Sequence, residues 1–153
     1  MTQVYFDLTR LIERLHRRFL DVLKAELDHL GVEDINPVQS LILSNIDSDE
    51  ITVRDLVRRG YYLGSNASYN IKKLVESGYL EHERSPRDRR SLRIRLSPKA
   101  IELRANVREL QEVHAGALTE IPGAAEELDR ACGALRKLER RWSDTIQFGP
   151  TDD

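Results

Sequence analysis

Cysteine is nearly absent from this chain. Cys132 is the single one among 153 residues, so no internal disulfide can form, and a reducing cytoplasm is the expected compartment. No apolar run approaches the roughly 20 residues that a membrane-spanning helix needs. The first residues, MTQVYFDLTRLIERL, carry acids and a helical period, unlike a signal peptide. There is no GxSxG elbow, no glycine-rich phosphate loop and no HExxH helix. His16, His29, His82 and His114 show no metal-ligand spacing. Enzymatic, metal-binding and membrane readings therefore find no support, and no cofactor is expected. Internal repeats and low-complexity segments are absent too.

What is present suits a soluble, helix-rich protein: 40% of residues are apolar and 33% charged. The length fits one domain, or a small head on an extended scaffold. The net charge of −2 hides a division. Residues 52–96 hold 11 Lys and Arg against five acids, whereas the remainder holds 13 against 21. Electrostatic attraction acts within a Debye length of roughly 8–10 Å in physiological salt, so this cationic island matters more than the total.

From Val4 to Leu30 apolar residues recur at helical spacing, and Gly31 ends the helix. Asn36-Pro37 pairs an N-cap with a proline at the first helical position, starting a helix to about Ile46 that presents Val38, Leu41, Ile42 and Ile46. A polar loop, Asp47–Glu50, leads to Ile51, read as a short bridge to a sheet. Thr52 caps a helix through Arg59, buried by Val53, Leu56 and Val57, and Gly60 ends it. After the turn Tyr61-Tyr62-Leu63-Gly64, Ser65 or Asn66 caps a helix to about Ser77 with the core stripe Ala67, Ile71, Leu74 and Val75. Gly78 stops it. Ser97-Pro98 repeats the cap-plus-proline start for a helix to about Leu118. Pro122-Gly123 breaks that helix, and a last one, about Ala124 to Gln147, lines up Leu128, Ala131, Leu135, Leu138, Trp142 and Ile146. The tail, Gly149–Asp153, reads as disordered.

Between the last glycine stop and Ser97 lies the most informative stretch, residues 79–97, YLEHERSPRDRRSLRIRLS. Leu92, Ile94 and Leu96 alternate with Arg93 and Arg95, the period of a half-buried strand. The first segment, around Leu80–Arg84, is less regular and reads as an edge strand. Ser85-Pro86-Arg87-Asp88 supplies turn residues, with Arg87, Arg89 and Arg90 at the tip. Such a run is also what a solvated surface hairpin shows. Its position decides between the two: two short helices joined by a Gly-containing turn form a helix-turn-helix, and a hairpin directly after makes it winged. The fold class is mainly α with a small β wing, a winged helix-turn-helix head on a long-helix dimerisation scaffold. Residues 1–35 read as an N-terminal dimerisation region, 36–97 as the DNA-binding head and 98–153 as C-terminal dimerisation helices with a short tail. The stripes of the first and last helices exceed what the head can cover, so a second copy of the chain is their expected partner.

The layout of residues 36–104, with IKKLVESGYLEHERSPRDRRSLRIRLSPKAIEL at its centre, resembles the MarR family of bacterial regulators. The matching pieces are Leu74-Val75-Glu76-Ser77-Gly78, the strand Tyr79-Leu80, the wing residues 88–90, the strand Arg93–Leu96 and the helix start Leu96-Ser97-Pro98-Lys99. The resemblance implies a sequence-specific DNA-binding transcriptional regulator, a homodimer whose two winged heads bind a pseudo-palindromic operator. Many relatives are released by small aromatic ligands or by cysteine oxidation. The paired tyrosines at 61–62, and Tyr69-Asn70 where relatives often carry a basic residue, depart from the pattern and leave the operator sequence open.

Within that frame Asn66, Ser68 and Tyr69 are candidate major-groove contacts, since Asn pairs bidentately with adenine and Ser serves either base type. Ser65 is read as the cap. Lys72 and Lys73 are candidate phosphate contacts, as are Arg87 and Arg89. Arg90 is expected to enter a narrow minor groove, held by Asp88 through charge-assisted hydrogen bonds, as the family's DxR pattern implies. Cys132 is read as a small buried hydrophobe. Tyr5, His16, His114 and Trp142 are candidates for a small aromatic effector, on the family resemblance. A helical adaptor whose winged head binds protein is the alternative function.

Overall fold

Asn36 shows how local chemistry sets the architecture. Its side-chain oxygen accepts the Gln39 backbone N–H at 2.9 Å, and the Gln39 side chain accepts the Asn36 N–H at 2.9 Å. This reciprocal capping box, with Pro37 at the first helical position, starts the second helix. The computed structural model describes residues 1–46, 50–60, 64–84 and 92–149, with backbone alone at 50, 59, 60, 64, 83, 84 and 92. Its elements are α1 (Thr2–His29), α2 (Pro37–Ser44), β1 (Glu50–Thr52), α3 (Val53–Gly60), α4 (Gly64–Glu76), β2 (Leu80–Arg84), β3 (Leu92–Leu96), α5 (Pro98–Thr119) and α6 (Ala124–Phe148). The fold is mainly helical with a three-stranded antiparallel sheet, ordered β1-β3-β2.

Two helices end in the same way. Gly31 and Gly78 have φ of 69° and 75°, the left-handed region that glycine enters without a Cβ penalty. In each case the glycine N–H and the one after it turn back onto the helix. Gly31 N–H reaches the Asp28 carbonyl and Val32 N–H that of Leu27, while Gly78 reaches Val75 and Tyr79 reaches Leu74. These are Schellman stops. Strand β2 consequently begins at Leu80, and Tyr79 is a buried residue of the stop.

The expected bridge at Ile51 is three residues of β1, paired to β3 with Ile51 opposite Ile94. The segment at 80–84 lies at the sheet edge as expected, Leu80 pairing with Leu96 and His82 with Ile94. Strand β3 is central because its apolar alternation serves the core: Ile94 and Leu96 are buried while Arg93 and Arg95 are exposed. Beneath the sheet, Leu56 of α3, Ala67, Ile71 and Leu74 of α4, and Ala100, Leu103 and Val107 of α5 form one cluster with Leu23 and Leu27 of α1.

Some expectations need correction. Helix α2 ends at Ser44 rather than Ile46, and Gln39, Ser40 and Leu43 are buried on it while Val38 and Leu41 are only half-buried. Capping draws Gln39 inward, which hydrophobic period does not report. Helix α4 starts at Gly64, so Ser65 lies inside its first turn and is not the cap. Cys132 is exposed in the single chain, because it lies beside the apolar stripe of α6 rather than in it. The turn at 61–63, the wing tip at 85–91 and the tail at 150–153 lie outside the described residues.

The chain divides into two compact units, Met1–Leu110 and Gln111–Asp153. In the first, only Leu23 and Leu27 of α1 are buried, while Val4, Phe6, Leu11, Leu15 and Phe19 are exposed. In the second, Ala124 is the one buried residue of α6; Leu128 is 47% exposed and Ile146 86%. Both terminal helices thus display their apolar stripes.

Two substitutions test the helix boundaries. Asn36→Ala should lower stability by about 1 kcal/mol. Gly78→Ala should cost about 1–2 kcal/mol from backbone strain alone, since nothing lies within 4 Å of the added Cβ. Urea unfolding midpoints check both, and an unchanged midpoint for either contradicts the assigned cap.

Candidate nucleic-acid interface

Thr52 ends β1 and starts α3 at one stroke. Its hydroxyl accepts the Asp55 N–H at 3.1 Å and donates to the Asp55 carboxylate at 2.7 Å. Leu56 is fully buried, and Val53 and Val57 pack at the edge of the core, so α3 turns its apolar side into the same cluster as α4. Ala67, Ile71 and Leu74 of α4 are buried, and the opposite side of that helix is open to solvent.

At 3.6 residues per turn the outward side of α4 divides into two flanks. Asn66 and Lys73 fall on one, Ser68 and Lys72 on the other, and Tyr69 between them. All five are exposed, Tyr69 at 60%. Ser68 and Lys72 border a cavity of about 460 Å³ floored by Val53, Ile71 and Val75, with Glu76 and His82 of β2 on its rim. Asn70 is turned back on its own helix, its side-chain amide donating to the Asn66 carbonyl at 2.9 Å.

The α4 cations have a common partner that the sequence reading passed over. Glu76 meets Lys73 at 2.8 Å and Lys72 at 3.8 Å. The Glu76 hydrogen bond raises the Lys73 pKa, and Lys73 in turn holds the Glu76 carboxyl below its ordinary value. The signal was legible, since Glu76 follows these lysines by three and four residues. Along the sheet, β3 places Arg95 opposite Glu50 and Glu81, and Arg93 opposite Thr52 and Glu83. The wing residues Arg87, Asp88, Arg89 and Arg90 lie outside the described residues.

A second cluster was invisible in the sequence because its members are far apart along the chain. Asp34, in the corner after α1, accepts the Tyr79 hydroxyl at 2.8 Å and the Lys99 ammonium at 2.6 Å. Lys99 also stands 4.1 Å over the Tyr79 ring. Partial burial alone would raise the Asp34 pKa, but the hydrogen bonds from Lys99 and Tyr79 and the Lys99 charge outweigh it and hold the carboxyl below its usual range. Beside this cluster, buried Ser97 donates to the Gly78 carbonyl at 2.7 Å and accepts the Ala100 N–H at 3.3 Å. The expected cap of α5 therefore also ties α5 to the end of α4.

The four effector candidates are all surface residues. Tyr5 and His16 belong to the first unit, with the Tyr5 ring tilted against Phe6 at 6.2 Å. His114 and Trp142 belong to the second. None of the four borders the cavity beside α4. Among the described residues, no three His, Cys, Asp or Glu side chains gather as a metal site, and no helix is long and apolar enough to cross a membrane.

A capped α3, an outward-facing α4 and an antiparallel hairpin leaving directly from its end define a winged helix-turn-helix protein. Residues 33–91 match the sequence model of the MarR family. A transcriptional activator of exopolysaccharide II synthesis, ExpG of Rhizobium meliloti, is 41% identical over 145 residues, covering 95% of this chain and 75% of that protein. The fold is shared with Streptococcus pneumoniae FabT in complex with DNA, at a TM-score of 0.75 and 16% identity over 92% of this chain and 98% of that one. It is shared also with Staphylococcus aureus MarR in complex with salicylate and kanamycin, at a TM-score of 0.74 and 18% identity over 93% and 94%. The chain belongs to the MarR family and is a transcriptional regulator.

Because the folded Asp34 pKa is depressed, its contribution is present above the unfolded value near 4 and lost as pH falls through the folded one. Both partners are about half exposed, so the contribution is at most about 1 kcal/mol. The stability gap between wild type and Asp34→Asn in urea should be open at pH 7 and narrow progressively as pH falls below about 4. A gap as wide in acid as at pH 7 contradicts the assignment.

Proposed function

We propose that this regulator acts in the cytoplasm as a homodimer that binds a pseudo-palindromic DNA site, by recognition and without chemistry of its own. The observation that carries the reading is the exposed outer face of α4, set beside the hairpin in a head attached to helices with uncovered apolar stripes. Residues 1–35 and 98–153 supply the dimer contacts, and 36–97 the DNA contacts. Asn66, Ser68 and Tyr69 meet base edges, while Lys72, Lys73, Arg87 and Arg89 meet phosphate. Arg90, aimed by Asp88, enters the minor groove. Two helix faces that water would otherwise cover favour self-association through burial of apolar surface.

ExpG's name directs the search for targets to promoters of polysaccharide synthesis. Response to a small aromatic effector belongs to the same reading, with support from the salicylate complex of the S. aureus protein. Tyr5, His16, His114 and Trp142 are the groups to test for it. The adaptor alternative draws on one observation: Glu76 engages both lysines of α4, which reduces the attraction of this helix for phosphate.

Selection from random duplexes separates the two readings. A regulator enriches a two-fold symmetric site, whereas failure to bind any duplex favours the adaptor. On the selected site Arg90→Ala should lower affinity by more than about tenfold at low salt, where a minor-groove guanidinium acts at close range. Each phosphate-contacting cation removed should reduce the slope of log K against log salt by roughly 0.9. Unchanged affinity for Arg90→Ala removes the wing from the interface.

A further inference from the structure

The end of α4 farthest from its candidate base contacts is held by residues from both sides of the head. The Asp34 carboxylate takes the Tyr79 hydroxyl on one oxygen and the Lys99 ammonium on the other, at 2.8 and 2.6 Å. Its backbone carbonyl accepts the Ser77 hydroxyl at 3.3 Å, and Lys99 donates to the Ser77 carbonyl at 3.3 Å. One residue from the α1–α2 corner and one from the first turn of α5 thus close a ring with the two residues that flank Gly78. Tyr79 is 2% exposed, so its ring is fixed by the core and its hydroxyl has a defined position from which to bind.

We infer that Asp34 is a positioning residue for DNA recognition, setting the tilt of α4 by fixing its C-terminal end through Tyr79, Ser77 and Lys99. The inference rests on the DNA-binding reading above. Its physical basis is leverage. Asn66 and Ser68 lie nine to eleven residues before Ser77, roughly 14–17 Å along the helix at 1.5 Å per residue. A tilt of about 10° at the clamp then moves them by roughly 2–3 Å. Hydrogen bonds to base edges tolerate a few tenths of an ångström, so such a tilt loses them. Contacts to phosphate from long cationic side chains adapt more readily. Loosening the ring should therefore cost sequence discrimination before it costs general affinity for DNA.

Tyr79→Phe removes the hydroxyl and keeps the ring, and Asp34→Asn removes the charge and keeps the shape. Neither replaces a lysine or arginine, and Tyr79→Phe also leaves the Asp34–Lys99 ion pair in place. Full-length wild type, both single variants and the double variant are titrated with two labelled duplexes, the one wild type selects from random DNA and a scrambled duplex of the same length. Each single variant should weaken binding to the selected duplex by about fivefold or more, the effect of roughly one mismatched base pair. Affinity for the scrambled duplex should stay within about twofold, since phosphate contacts carry it. The double variant should lose little beyond either single, because both act through one ring. Equal losses on the two duplexes, or a lower unfolding midpoint with discrimination intact, would overturn the positioning role in favour of a purely stabilising one. Wild type that binds neither duplex would instead overturn the DNA-binding reading itself.

Discussion

The turn at Ser77-Gly78-Tyr79 is the constraint on which the head depends. Gly78 takes a left-handed conformation, which lets the Tyr79 N–H reach back to Leu74 at 2.8 Å while the chain reverses into the hairpin. The Tyr79 carbonyl then accepts the Ser97 N–H at 3.0 Å, and the Ser97 hydroxyl donates to the Gly78 carbonyl. One turn therefore fixes where α4 ends, where β2 begins and where α5 starts. The wing inherits its placement from that junction, because β2 and β3 run in register from Leu80 and Leu96 outward.

The parts of this fold written in local chemistry were legible in the sequence. Asn36-Pro37, Gly31, Gly78 and Ser97-Pro98 each act within a few residues, and the alternation through Ile94 and Leu96 reports one buried face. The misreadings share a cause as well. Gln39 is buried by a capping bond, a role that hydrophobic spacing does not carry, and Ser65 looks like a cap at a position where the helix has already begun. The Asp34–Tyr79–Lys99 ring joins residues 45 and 65 positions apart, and no spacing rule connects them. Of the candidate site, the exposed face of α4 was legible because its inner stripe was. The acid shared by Lys72 and Lys73 went unnoticed although its spacing was plain.

Charge is arranged with more restraint than the count suggests. Residues 52–96 carry a surplus of six positive charges, yet Glu76 holds both lysines of α4, and the sheet register sets Arg95 between two glutamates. The cations at 87, 89 and 90 have one acid, Asp88, among them. In the proposed complex the recognition helix thus contributes mostly neutral polar groups suited to reading bases, and the wing most of the attraction. A division of this kind keeps non-specific affinity low relative to specific affinity, which sets how well a regulator finds its site among many others.

The central claim is that two winged heads of one dimer read one symmetric site. Hydroxyl-radical footprinting of the full-length protein on the duplex it selects tests this most directly. The account predicts two protected half-sites related by two-fold symmetry, their centres about 10 base pairs or a multiple apart, each with an adjoining minor-groove protection that is missing for Arg90→Ala. A single unsymmetric patch of protection, or symmetric protection with the minor groove open in wild type, would contradict it.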